Sequence, residues 1–157
     1  MFPEELGDNL DGSYRAQCVK ACAFDMGDLP RKPEQPDIGM PAVVGAGPQI
    51  LILGSMPGER SLRARQYYAH PTNAFWPIMG ELLGFSGAAP YRDRLRALKS
   101  GKVALWDVVH SCKRQGSLDS NIEKSSIVLN NLMGLLSKHS TLKAIAFNGR
   151  KANELFL

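Results

Sequence analysis

Ile50-Leu51-Ile52-Leu53-Gly54-Ser55-Met56-Pro57-Gly58 is the stretch from which the fold can be read. Its first four residues are apolar, uncharged and half β-branched, the pattern of a short strand buried on both faces of a parallel sheet. The Gly/Pro-rich turn that follows ends the strand and leaves backbone groups at its carboxyl end, where open α/β sheets bind their ligands. Further on, Tyr67-Tyr68-Ala69-His70-Pro71-Thr72-Asn73-Ala74-Phe75-Trp76 packs aromatic faces, an imidazole and a carboxamide into one short segment. That combination suits a flat ligand with polar edges.

Working outward, strand and helix patterns alternate. Strands are expected at about 49–55, at Val103-Ala104-Leu105-Trp106 and at Lys143-Ala144-Ile145-Ala146-Phe147. Helices are expected over 59–65, over 74–84 with its stop at Gly84, over 91–100, over 125–138 on Ile127, Leu129, Leu132, Met133, Leu135 and Leu136, and from Asn148-Gly149 to the end. Between Asp107 and Asp119 the residues read as a polar loop. The alternation predicts an α/β fold, a three-layer α/β/α sandwich around a short parallel sheet.

Residues 1–39 look separable from a domain spanning 40–157. The stretch Asp28-Leu29-Pro30-Arg31-Lys32-Pro33-Glu34-Gln35-Pro36-Asp37 carries three prolines and five charges, a composition of extended linkers. The spacing ahead of it allows a weak helix over Ser13–Phe24. Residues 1–40 hold eight acidic and four basic side chains, whereas 41–157 hold seven and fifteen. A basic domain fits a polyanionic partner such as nucleic acid, and equally an ordinary solvated surface. Neither a signal peptide nor a membrane-spanning run is evident, so a cytoplasmic location and no membrane partner are expected. Cys18, Cys22 and Cys112 lack the four-ligand spacing of a zinc or iron–sulfur site and read as reduced thiols, with no metal. Ser55 is second rather than central in its Gly-Ser-x-x-Gly turn, unlike a serine-hydrolase elbow.

Taken together, Leu51-Ile52-Leu53-Gly54-Ser55-Met56-Pro57-Gly58-Glu59-Arg60-Ser61-Leu62 and Gln66-Tyr67-Tyr68-Ala69-His70-Pro71-x-Asn73-x-Phe75-Trp76 resemble the uracil-DNA glycosylase superfamily. They are most similar to its hypoxanthine-DNA (deoxyinosine) branch. Ala104-Leu105-Trp106-Asp107-Val108-Val109, Gly116-Ser117-Leu118-Asp119 and Phe147-Asn148-Gly149-x-Lys151-Ala152 resemble later segments of that branch. The resemblance implies a DNA-repair enzyme that hydrolyses the N-glycosidic bond of a deaminated base flipped out of DNA, hypoxanthine first and uracil second. It also implies a monomer with no cofactor. Two departures stand out. Met56 occupies a position that holds a catalytic Asn in the mismatch-specific branch, and the family's fourth strand and second active-site loop would fall beyond Leu157. A catalytically inactive nucleic-acid-binding relative is therefore the alternative, and a small-molecule α/β enzyme with its pocket at the same sheet edge is a third reading.

By the resemblance, Tyr68 is the platform for the base, backbone amides around Ser55, Met56 and Gly58 meet its edge, and Asn73 positions the attacking water. Each has a plainer alternative. Asn73 directly precedes a helix and is a favoured N-cap type. His70 contacts base or phosphate, or is a loop residue. Ser61 bonds a phosphate or caps the helix after the turn. Arg60, Arg63, Arg65, Lys113 and Arg114 contact phosphates or are solvated surface. Asp107, at the end of the second strand and on the same sheet edge as Ser55, is a functional carboxylate or orients a loop.

Overall fold

The apolar run at 50–53 forms most of the middle strand of a parallel sheet. The structure, a computed structural model, describes residues 35–157; the expected Ser13–Phe24 helix, Cys18 and Cys22 lie outside the described residues. Ile50–Gly54 (β2) is flanked by Val103–Asp107 (β3) on one side and Ala144–Phe147 (β6) on the other, both parallel to it. The chain therefore leaves β2 in one direction and returns past it to the other side, which makes β2 the strand at which the order reverses.

Side-chain alternation along these strands builds two cores. Leu51, Leu53 and Ala104 face one way and pack with Leu132, Leu135 and Ala152, which belong to helices Leu132–Lys138 (α4) and Arg150–Phe156 (α5). Val103, Leu105 and the partly buried Ile52 face the other way. They meet Phe75, Trp76 and Met79 of Phe75–Leu83 (α2) and Leu98 of Tyr91–Ser100 (α3). Helices on both faces give the three layers expected. Leu51, Leu53, Leu98 and Leu105 are fully buried, and each such side chain contributes about 1.5–3 kcal/mol of transfer free energy. A short helix, Glu59–Ala64 (α1), follows the turn after β2. None of the described helices is long and apolar enough to cross a membrane.

A second, antiparallel sheet lies outside the sequence reading. It runs Asp37–Ile38 (β1), Val109–Cys112 (β4), Val128–Leu129 (β5). The segment read as a polar loop after Asp107 thus carries a strand, with Val109 and Cys112 buried and His110 exposed between them. The expected helix over 125–138 is confined to α4. Ahead of it, Val128 and Leu129 pair with Ser111 and Val109. The Asn130 carboxamide donates to the carbonyls of Asp107 (2.9 Å) and Val109 (3.2 Å), and the Asn131 side chain caps α4 at the Gly134 amide (2.8 Å). These bonds hold the backbone out of helix until residue 132. Ordered structure also begins before residue 40, because Asp37 pairs with Cys112 and is buried.

Candidate active site

Three strand ends meet at one edge of the parallel sheet. Gly54 closes β2 directly opposite Asp107 at the end of β3, and Asn148 follows β6 with its amide donating to the Leu53 carbonyl (2.8 Å). A cavity of about 410 Å³ opens there, with Gly54, Asp107 and Asn148 in its wall beside the turn Ser55–Gly58. Gly54 has to be glycine: a Cβ would sit 2.5 Å from Asp107 Oδ1 and 3.1 Å from the Tyr68 hydroxyl.

Tyr68 lines the cavity in a left-handed conformation (φ 54°), uncommon for an aromatic residue and sustained only where the surroundings enforce it. Its neighbours do so. The Tyr67 amide donates to the Tyr91 hydroxyl (2.9 Å), the Tyr67 carbonyl accepts from the Trp76 indole (2.8 Å), and the Ala69 amide donates to Ser61 Oγ (3.2 Å). Ser61 therefore neither caps α1 nor stands free at the surface; it is buried and pins the Tyr68 loop. The Tyr68 ring stacks on Phe75, centroids 4.0 Å apart and planes at 27°. Burial raises its phenol well above the ordinary value, and the Asn148 carboxamide draws it partly back.

Asn73 and His70 reach the same cavity. The Asn73 oxygen accepts the Phe75 amide (2.9 Å), so the capping role is real, although the residue stands one place ahead of the helix boundary at Ala74. That oxygen carries a second lone pair. His70 Nδ1 lies 2.9 Å from Thr72 Oγ1 and 3.4 Å from the Thr72 amide, which holds the ring against its own turn.

Asp107 is the more buried of the two carboxyl groups in the cavity wall. Its Oδ2 has no hydrogen-bond partner. Burial, and secondarily the Asp119 carboxylate, push its carboxyl up to about 7, while the Tyr67 hydroxyl and Arg114 pull it back. Across the cavity the loop after β4 is tied down on both sides of Leu118. Ser117 Oγ accepts the Glu59 amide (3.0 Å) and Asp119 Oδ2 accepts Ser55 Oγ (2.6 Å). Leu118 itself is 66% exposed.

The basic residues divide. Arg60 is exposed on the cavity rim. Arg63 pairs with Glu59 at 3.8 Å, Arg65 closes α1 in a left-handed conformation, and Lys113 is exposed away from the cavity wall. Arg114 is not a surface cation at all. Its side chain is fully buried and bonded to Asp37 and the Pro57 carbonyl, so the expected phosphate contact is replaced by an internal one. Met56, too, sends its side chain into a small core with Val109, Cys112 and Ile122.

Residues 41–157 match the sequence model of the uracil DNA glycosylase superfamily. The chain belongs to that superfamily. A hypoxanthine DNA glycosylase of Methanosarcina barkeri is 42% identical over 117 residues, 74% of this chain and 73% of its own length. Another from Methanosarcina acetivorans shares the same identity and coverage. Among solved structures, the solution NMR structure of a candidate uracil DNA glycosylase from Methanosarcina acetivorans superposes with a TM-score of 0.68 at 40% identity. It covers 76% of this chain and 74% of that one.

Within this superfamily member, Ser55, Met56, Gly58, Arg60, Ser61, Tyr68, His70 and Asn73 all border one cavity. Asp107, read from sequence as a functional carboxylate or a residue that orients a loop, borders it too, as do Ser117, Asp119 and Asn148. Asp107 and Asn148 carried a usable signal, since each stands at the carboxyl end of a parallel strand. Ser117 and Asp119 carried none besides the resemblance, because only the folding of their loop brings them across to Ser55 and Glu59.

Proposed function

We propose that this chain is a monofunctional DNA glycosylase that hydrolyses the N-glycosidic bond of a deaminated base, hypoxanthine in preference to uracil. The observation that carries the reading is the cavity itself, in which Tyr68, Asn73 and a buried, half-unpartnered Asp107 converge on the Gly54–Gly58 bend. Its size falls within the range of small-ligand sites. The names of the Methanosarcina relatives support hypoxanthine as the first base to test.

In this reading the target nucleotide leaves the stack and its base lies against Tyr68, a contact worth roughly 1–3 kcal/mol. The second lone pair of the Asn73 oxygen accepts a hydrogen bond from the attacking water and directs the water oxygen at C1′. The water oxygen bonds to C1′ and the C1′–N bond breaks with its electron pair leaving on the base. The water proton is lost to solvent and the base takes one up. Neutral Asp107 donates through Oδ2 to an acceptor on the base edge, where negative charge gathers as the bond breaks. Such a donor favours the carbonyl of hypoxanthine over the amino group of adenine.

The test is purified protein on a duplex with a single deoxyinosine, and in parallel a single deoxyuridine, followed by alkaline strand scission. Scission on the deoxyinosine strand that falls by two or more orders of magnitude in Asn73→Ala is the expected result. DNA binding without release of either base would overturn the enzyme reading in favour of an inactive relative.

A further inference from the structure

Behind the Gly54–Gly58 bend runs a row of charged groups that the reaction itself does not use. Arg114 Nη2 donates to the Pro57 carbonyl at 2.7 Å and to Asp37 Oδ2 at 3.3 Å. Its Nη1 lies 3.9 Å from Asp119 Oδ1, and the other oxygen of Asp119 holds Ser55 Oγ at 2.6 Å. The Arg114 side chain is completely buried and Asp37 nearly so. Asp37 belongs to β1, ahead of the residues that match the family.

A guanidinium removed from water is a poor device for stability alone, since well-packed apolar residues of similar volume do as well or better. What the charges supply here is direction. One arm of the row fixes the carbonyl of Pro57, the other fixes the side chain of Ser55, and the bend between them is the wall on which the base edge would rest. The same charges act on Asp107: Asp119 raises its proton affinity, while the Tyr67 hydroxyl and Arg114 lower it, and Asp107 in turn raises the Tyr68 phenol from the loop after α1.

We propose that Asp37, Arg114 and Asp119 form a buried ionic strut that positions the Ser55–Gly58 bend, making β1 a working part of the base pocket. All three are positioning residues. The proposal rests on the glycosylase reading for its kinetic test, and on backbone dynamics for a test that does not need it.

The experiment uses the full chain with Arg114→Met, Arg114→Lys and Asp119→Asn. Under single turnover on deoxyinosine duplex, Arg114→Met lowers the base-release rate on the order of 10- to 100-fold. The protein concentration at half-maximal rate changes by less than about threefold, because no phosphate contact is removed. Arg114→Lys recovers part of the rate. The midpoint of the pH–rate profile moves up in Arg114→Met and down in Asp119→Asn, a shift that a purely structural role would not produce. Amide hydrogen exchange at Ser55, Met56 and Gly58 quickens in both variants while the parallel strands stay protected. Should Arg114→Met not fold, Asp119→Asn, altered at a partly exposed side chain, decides alone. Unchanged exchange at the bend together with an unmoved pH midpoint overturns the strut. A wild-type protein that releases no base sinks the glycosylase reading instead, and the exchange data then decide the strut by themselves.

Discussion

Asp107 concentrates the chemistry of this site in one carboxyl group. Its environment is desolvated and includes a second carboxylate at Asp119, which together outweigh the Tyr67 hydroxyl and Arg114, so the proton is held up to about pH 7. Because the folded-state value is raised, the stability linked to Asp107 is complete below the ordinary carboxylate range. It is lost as the pH climbs through about 7. Base release that relies on a donated Oδ2 proton should decline over the same interval. Asp107→Asn keeps a donor at every pH. It is expected to flatten the alkaline limb of the single-turnover profile between pH 6 and 9 and to melt higher than the parent at pH 8, with little difference at pH 5. A profile that still falls through pH 7 in the variant would assign the titration elsewhere. Sequence could place Asp107 at the ligand-binding edge. Its empty second oxygen arises only from how Tyr67, Tyr68 and Gly54 close around it.

At the level of elements, the parallel sheet was legible and the antiparallel one was not, for a physical reason. β2 and β3 lie largely buried, so their sequences are apolar up to the last residue; β6, at the edge of the sheet, is half-buried at Ile145 and Phe147 and exposed at Ala144 and Ala146, whose methyl groups keep the run apolar. β1 and β5 have two residues each, and their pairing with β4 joins segments about 75 and 18 residues apart in sequence. Such strands leave no periodic trace. The apolar spacing at Ile127 and Leu129 imitated a helix, although Val128 and Leu129 are more than half exposed. Asn130 is what decides the matter, since its side-chain amide bridges the carbonyls of Asp107 and Val109 and fixes the path from β5 into α4. Asn130→Ala leaves both carbonyls short of a donor at a cost of about 1–3 kcal/mol. That lowers Tm by about 2–4 °C for each kcal/mol, measured by circular dichroism. It also loosens the backbone of Asp107, so the base-release rate should fall with it. Loss of Tm with an unchanged rate would confine Asn130 to a structural role.

For the whole molecule, the excess of basic over acidic side chains across residues 41–157 suggests a polyanionic partner, but total charge overstates the number of cations that a phosphate can reach. Arg63 is engaged with Glu59, and Arg92 and Arg96 share Asp93 on α3. Arg114 is enclosed by Asp37, Asp119 and Pro57. Arg60 remains exposed on the cavity rim, where a duplex carrying a flipped base would press against the protein. Two arginines that sequence alone treats alike therefore predict opposite salt behaviour. A side chain that neutralises a phosphate releases a counterion, so Arg60→Gln should reduce the slope of log K against log salt concentration by about 1 and weaken binding to any sequence. Arg114→Lys should leave that slope where it is, whatever it does to the rate, because no counterion sits at a buried guanidinium. Fluorescence anisotropy of a labelled duplex between 25 and 200 mM salt reads both. An equal loss of slope in the two variants would mean that Arg114 meets DNA after all, and the bend would then have to open when the duplex binds.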